Sequence, residues 1–302
     1  MDYNYERVTQ NIRKELKSYL KDNGLKSLVI GVSGGIDSTV CCALAQPVCD
    51  ELGIPLIGRS ITIEGNKEDE IDRANMVGEL FCDNFKEVNL TDAYKNMRFE
   101  FESNEGFIET DITADRIRLG NIKARMRMMY LYNIAQMNIG MLLSTDNLTE
   151  LLVGFWTLHG DVGDYGMVQN LWKSEVYDLS GYLATELDEK RAFAIMSCVE
   201  AVPTDGLGIT DSDLDQLGAE SYAQVDAILQ QYLYITACMG TDDMDEEKRE
   251  MYTKICKHPV VKRHISSQFK RDNPLNLSRN LIMRGADVED AYLPEYMLED
   301  SG

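Results

Sequence analysis

Ser33-Gly34-Gly35-Ile36-Asp37-Ser38 combines the features a phosphate site needs. Two adjacent glycines let the backbone approach a ligand closely and turn successive N–H groups toward it. The apolar run Leu28-Val29-Ile30-Gly31-Val32 leads into this turn and a helical pattern leaves it. The positive end of a helix dipole is therefore directed at the same place, and phosphate or pyrophosphate is the ligand that suits it. Asp37 beside phosphate oxygens is repulsive unless a cation bridges them. Magnesium held by one carboxylate and phosphate oxygens supplies that bridge. The segment lacks the lysine of a Walker A loop and is not a GxGxxG dinucleotide turn. The alternative is a plain glycine turn in which Ser38 or Asp37 only caps the helix.

The elements that must position this turn follow from the apolar spacing. Val8, Ile12, Leu16 and Leu20 recur every four residues, which predicts an amphipathic helix that Gly24 stops. The strand ending at Val32 is followed by a helix from about Ser38 to Glu51. A second strand begins at Pro55-Leu56-Ile57-Gly58, a second helix spans about Glu68–Phe81, and Glu87–Leu90 reads as a third strand. A longer helix over Ala114–Met137 is apolar around most of its circumference, which predicts burial on several sides or a helix–helix contact between two copies. Ile139–Leu143 forms a further strand that runs into a polar corner at Ser144–Asn147. Strand–helix alternation of this kind predicts an α/β fold with a doubly wound, mostly parallel sheet flanked by helices, and ligands at the carboxyl ends of its strands. After Leu183 the pattern is mostly helical, residues from about 284 read as an acidic solvated tail, and nothing between marks a domain boundary. A single domain over 1–302 is expected.

The 302 residues carry a formal net charge of −21. Nucleic-acid binders rely on basic patches that displace counterions, so a nucleic-acid partner is not expected. No apolar run approaches the roughly 18 residues needed to cross a bilayer. The start, MDYNYERVTQ, has no signal-peptide pattern, and the seven scattered cysteines form no CxxC pair. A cytoplasmic protein with reduced thiols that handles small molecules is the expectation.

The SGGxDS turn after a first strand resembles that of the PP-loop ATP pyrophosphatases (the adenine nucleotide alpha hydrolase-like fold), which split ATP between its α and β phosphates. Further segments are similar to the ammonia-dependent NAD synthetases. Asn121–Met128 matches their NxxARxRM stretch, Ser144–Glu150 their GTDxxxE segment, and Gly154–Asp161 their GFxTKYGD segment. Leu171–Val176 stands where they have a lysine-bearing turn, Pro203–Leu207 resembles PTAxL, and Phe269-Lys270-Arg271 with Pro274 resembles HKRxxP. The matches occur in the family's order over roughly residues 5 to 280.

The resemblance implies ATP-dependent amidation of deamido-NAD to NAD by ammonia, through an adenylate, with AMP and pyrophosphate released. By position it implies that Gly31, Val32, Ser33, Gly34, Gly35, Ile36, Asp37 and Ser38 cradle ATP. Asp37 and Glu150 would hold magnesium, with Asp161 either assisting the metal or capping a turn. Lys173, Thr145 and Thr204 would contact phosphates or ribose, with Asp37 and Lys173 at the catalytic centre, and Arg59 would lie near the adenine. Arg125 would bind deamido-NAD, and Lys270 would close over it. It further implies a homodimer with the acceptor site across the interface. No cysteine-nucleophile region precedes residue 25, so free ammonia is the expected nitrogen donor.

The departures from the family pattern cluster on the acceptor side. Leu158 stands for a lysine, His159 for a tyrosine and Phe269 for a histidine, and the Asn-Pro pair after Gly160-Asp161 is missing, where Asp164 could replace a lost polar contact. Ser144 stands for a glycine. Other readings are another PP-loop adenylating ligase or a nucleotide-binding sensor without catalysis. A tRNA-modifying member would want a basic surface, and a thiolating one paired reactive cysteines, whereas Cys41 and Cys42 sit where a helix packs.

Overall fold

The apolar run after Gly24 becomes the central strand of a parallel sheet. The computed structural model describes residues 3–65, 67–106, 111–203, 212–240, 244–278 and 282. Strands β1 (Ser27–Gly31), β2 (Leu56–Thr62), β3 (Asn84–Asn89), β4 (Gly140–Ser144) and β5 (Tyr165–Gly166) lie in the order β3-β2-β1-β4-β5. All their pairings are parallel, and Val29 stands opposite Ile57 on one side and Leu142 on the other.

Helices cover both faces, which is why β1 reads as an unbroken apolar run rather than an alternating one. On one face, Leu28 and Ile30 pack with α1 (Tyr5–Asp22), α2 (Ile36–Leu52), α3 (Glu68–Phe81), α7 (Lys173–Glu186) and α8 (Glu189–Val199). On the other, Val29, Ile57 and Leu142 pack with Tyr94 of α4 (Thr91–Glu105) and with Met126, Met128 and Leu131 of α5 (Ile112–Met137). A third cluster joins Val153 of α6 (Leu148–Val153) to α9 (Asp213–Leu217), α10 (Tyr222–Ala237) and α12 (Pro259–Ser266). Helices α11 (Glu246–Ile255) and α13 (Gln268–Arg271) complete the described carboxyl-terminal part. Among the described residues no helix is long and apolar enough to cross a membrane.

The doubly wound parallel sheet is as expected, with local corrections. The helix after the glycine turn starts at Ile36, so Asp37 belongs to its first turn. Strand β3 begins at Asn84, three residues earlier than the apolar pattern suggests, because it is an edge strand that pairs with β2 and carries polar, partly exposed residues. Helix α4 has Tyr94 as its one fully buried residue, so no apolar stripe announces it. Helix α5 is buried along one face, while Met129 and Met137 remain 60% and 75% exposed. The expected acidic tail lies outside the described residues.

Candidate active site

Strand order reverses between β1 and β4: the chain leaves β1 for β2 on one side and returns through α5 to β4 on the other. In open parallel sheets, ligands bind in the crevice at the carboxyl ends of the strands at such a reversal. The segments that follow β1, β4 and β5 carry the candidate residues there.

The first connection is the glycine turn. Gly34 has φ +79°, and a Cβ at this position would sit 2.4 Å from the Glu70 carbonyl oxygen, so a side chain is excluded by conformation and by space. Ser33 Oγ accepts from the Gly35 N–H at 3.2 Å. Ser38 Oγ accepts from the Ser33 N–H at 3.3 Å and donates to the Gly35 carbonyl at 3.1 Å. The two serines thus brace the turn from inside. Gly35 caps α2 without a side-chain acceptor, so the cap residue takes up none of the first-turn N–H groups of this 17-residue helix, the kind of groups that bind anions.

The segments after β4 and β5 meet the first at Asp37. Lys173 Nζ donates to Asp37 Oδ2 and, at 2.9 Å, to Glu150 Oε1. Asn147 Nδ2 donates to Asp37 Oδ1 at 2.8 Å, while Asn147 Oδ1 caps α6 by accepting from the Glu150 N–H at 3.0 Å. One asparagine therefore orients the Asp37 carboxylate and fixes the backbone that carries Glu150. Lys173 opens α7, its side chain is 5% exposed, and its Nζ lies 5.4 Å from the Tyr222 ring centre. The Lys173 N–H donates to Thr149 Oγ1 at 2.9 Å. Thr149 in turn donates to Asp226, whose second oxygen accepts from the Ser174 N–H at 2.9 Å. The lysine stem thus leaves a rigid base.

Charge is concentrated here. Burial, and then the neighbouring Asp37, push Glu150 up to about 7, with Lys173 opposing. Against the desolvation that pulls it down, Asp37 and Glu150 hold the Lys173 ammonium well above the usual lysine value. Burial lifts Asp146 to about 8, Glu150 adding to the effect and a 2.9 Å hydrogen bond from Ser144 Oγ opposing it. Two carboxylates converge on one cationic group, and no cluster of three His, Cys, Asp or Glu side chains suited to a metal occurs among the described residues. The third expected carboxylate, Asp161, accepts from the Thr157 N–H. Burial raises its pKa, and the Arg127 charge opposes that rise.

The remaining expected residues are placed as follows. Gly31 ends β1 and Val32 follows it directly, and Thr145 follows β4 directly before Asp146. Arg59 is 7% exposed and spends its guanidinium on the carbonyls of Gly58, at 2.6 Å, and Asn84, at 2.8 Å. Thr204 lies outside the described residues. On the acceptor side, Arg125 is exposed and donates from Nε to the Leu158 carbonyl at 3.1 Å. His159 Nε2 lies 3.5 Å from Asn273 Nδ2. Both Asp164 oxygens are engaged, by Tyr132 Oη and the Leu142 N–H, each at 3.0 Å. Phe269 is 62% exposed, and Lys270 Nζ donates to the carbonyls of Gly154, at 2.7 Å, and Trp156. A surface hollow of about 870 Å³ between α3 and α8, lined in part by Asp72, Met76, Leu80 and Phe193, touches none of these residues.

Several participants are not singled out by sequence reasoning. Asn147 sits in a polar corner before a helix, a position that signals an N-cap, but its second bond reaches a residue 110 positions away. Asp226 and Tyr222 come from a distant helix with no local signal.

Comparisons with known proteins identify the family. The NAD synthase family model matches residues 8–274. The NH(3)-dependent NAD(+) synthetase of Thermoplasma acidophilum is 32% identical over 91% of this chain and 97% of its own length. The Pyrococcus furiosus protein of the same name is 27% identical over 90% of this chain and 94% of its own. Among solved structures, the NMN synthetase from Francisella tularensis superposes with a TM-score of 0.70 at 25% identity, over 91% of this chain and 99% of that one. The NH3-dependent NAD synthetase from Campylobacter jejuni gives 0.63 at 20% identity, over 91% and 100%. A family match that spans most of the sequence, joined to a relative similar along almost its whole length, shows that this chain belongs to the NAD synthase family.

Proposed function

We propose that the chain amidates deamido-NAD to NAD with ammonia, using ATP and releasing AMP and pyrophosphate. The observation that carries the reading is the Asp37–Lys173–Glu150 triad beside the braced glycine turn. The substrate carboxylate attacks the α-phosphorus of ATP, the bond to the β,γ-pyrophosphate breaks, and ammonia then displaces AMP from the acyl adenylate, losing a proton. The second step needs no protein nucleophile. What the protein supplies is alignment of two anions and positive charge for the departing pyrophosphate.

The turn and the α2 amino terminus bind phosphate, and Lys173 neutralises it. Asp37 and Glu150 would hold magnesium. Two carboxylate oxygens already at bonding distance from one cationic group fit an ion usually bound by one or two carboxylates plus substrate phosphates. Bound there, magnesium supplies charge compensation on the phosphate oxygens. Thr145, directly after β4, would face the nucleotide, whereas Arg59 shapes the strand floor near Asn84. Asp161 fixes the turn at Thr157, and Arg125 and Lys270 serve the acceptor. Exposed apolar residues on α4 and α5 suit a homodimer.

A second reading concerns the acceptor alone. Leu158, His159 and Phe269 depart from the family pattern on that side, and the Francisella tularensis neighbour is an NMN synthetase. A mononucleotide carboxylate then replaces deamido-NAD with the adenylating half unchanged. The test incubates enzyme, ATP, magnesium and ammonium with each acceptor in turn and resolves the products by chromatography. NAD, AMP and pyrophosphate should form together with deamido-NAD and vanish together in Asp37→Ala. Amidation of the mononucleotide alone would move the assignment to the second reading. Absence of AMP with either acceptor would overturn both.

A further inference from the structure

Lys173 Nζ stands between the two carboxylates assigned above to a divalent cation, bonded to Asp37 Oδ2 and, at 2.9 Å, to Glu150 Oε1. The other Asp37 oxygen accepts from Asn147 Nδ2 at 2.8 Å, which holds the carboxylate with Oδ2 toward Lys173. An ammonium at bonding distance from both carboxylates fills the place from which a metal ion would touch both. Two cations a few ångströms apart at a largely buried site also repel strongly. From this geometry we propose that Lys173 makes divalent-cation binding conditional on the nucleotide: ammonium and metal ion are alternative occupants of the Asp37–Glu150 pair. The inference rests on the reading of this crevice as an ATP–magnesium site.

Three observations make the exchange workable. Asp37 and Glu150 are 16% and 18% exposed in their side chains, so leaving them without a positive partner is costly and some cation must always be present. The Lys173 backbone is fixed, its N–H bonded to Thr149 Oγ1 at the start of α7, so the ammonium moves only by rotation of a flexible four-carbon stem. The Tyr222 ring, 5.4 Å from Nζ, keeps an aromatic wall beside that stem. The ammonium leaves the pair when another anion receives it, and the phosphates drawn to the adjacent glycine turn are that anion. Nucleotide and metal ion therefore load together, and the metal ion alone is refused.

The test measures Mn2+ binding to nucleotide-free protein by electron paramagnetic resonance, for wild type, Lys173→Met, and Lys173→Met combined with Glu150→Gln. Mn2+ shares the carboxylate preference of magnesium. Lys173→Met should bind Mn2+ at least about tenfold more tightly than wild type, because the competing charge is gone, and the double variant should lose that gain. A non-hydrolysable ATP analogue should restore tight Mn2+ binding to wild type. Equal Mn2+ affinity in wild type and Lys173→Met, or a gain that survives Glu150→Gln, overturns the proposal. If Lys173→Met does not fold, Lys173→Gln, which keeps donors toward the carboxylates without the charge, carries the same comparison. Amidation by wild type with no Mn2+ difference would refute the exclusion and leave the function standing; a Mn2+ difference without amidation would do the reverse.

Discussion

Asp146 is 7% exposed beside the triad, and burial, reinforced by Glu150, lifts its pKa from 3.8 to about 8. Over that interval the native state holds a proton that the unfolded chain has released. Stability attributable to Asp146 therefore falls as pH rises through the interval, and the full penalty remains above about pH 8. Asp146→Asn removes this titration. In metal-free buffer its Tm should exceed that of wild type by more at about pH 8.5 than at about pH 5, and parallel Tm curves for the two proteins would refute the assignment. Gly34 supplies a second case. Alanine there must adopt φ +79° and drive its Cβ to 2.4 Å from the Glu70 oxygen, so Gly34→Ala should cost about 2–3 kcal/mol in urea unfolding and weaken ATP binding. The glycine turn, Asp37 and Ser38 are legible in the sequence because a phosphate cradle is built from consecutive backbone groups. Asn147, Asp226 and Tyr222 are not, because their partners Asp37, Thr149 and Lys173 come from remote parts of the chain. Arg59 shows the opposite difficulty: the family resemblance points it at the adenine, but the carbonyls that hold its guanidinium exist only in the folded sheet.

At the scale of elements, α6 carries Glu150 in its first turn but has only six residues, so its last carbonyls lack helical partners. Helices α12 and α13 supply them. Arg271 donates to the Leu152 carbonyl at 2.7 Å, His264 Nδ1 lies 2.9 Å from the same oxygen, and Arg263 reaches the Val153 carbonyl at 3.0 Å. Cationic groups at the negative end of a helix dipole are favourable. Gly154 lets the backbone pass, with φ +71° and Ser267 packed where a Cβ would be. Arg271→Met should therefore speed amide exchange over residues 152–157 and cost about 1.5–3 kcal/mol, the range for a hydrogen bond from a charged donor. Unchanged exchange in that segment would show that the clamp is dispensable. None of this clamp is evident from spacing, which shows only a charged segment at Lys270 and Arg271. Strands β1 and β4 are legible because burial on both faces makes them continuously apolar. Edge strand β3 and helix α4 are not, because each buries too little apolar surface to impose a period on its sequence.

At the scale of the whole molecule, a net charge of −21 opposes association of two copies, so a homodimer needs an apolar contact strong enough to outweigh that repulsion. Phe99 and Phe101 on α4, with Ile112, Ile117 and Met129 on α5, are between 41% and 74% exposed, and the two helices meet at the Arg118–Glu102 ion pair. Sedimentation should give twice the 34.2 kDa chain mass. Added salt should tighten the dimer, because screening weakens the long-range repulsion while apolar burial is retained. The double substitution Phe99→Asp, Met129→Asp should shift the mass toward the monomer, since it buries two charges in the contact. Arg125 lies on the same helix and commits Nε to the Leu158 carbonyl, so separating the copies should raise the KM for the acceptor more than that for ATP. A wild-type mass of one chain across the concentration range would remove the dimer. Equal changes in both KM values would instead leave the dimer intact and separate it from the acceptor site.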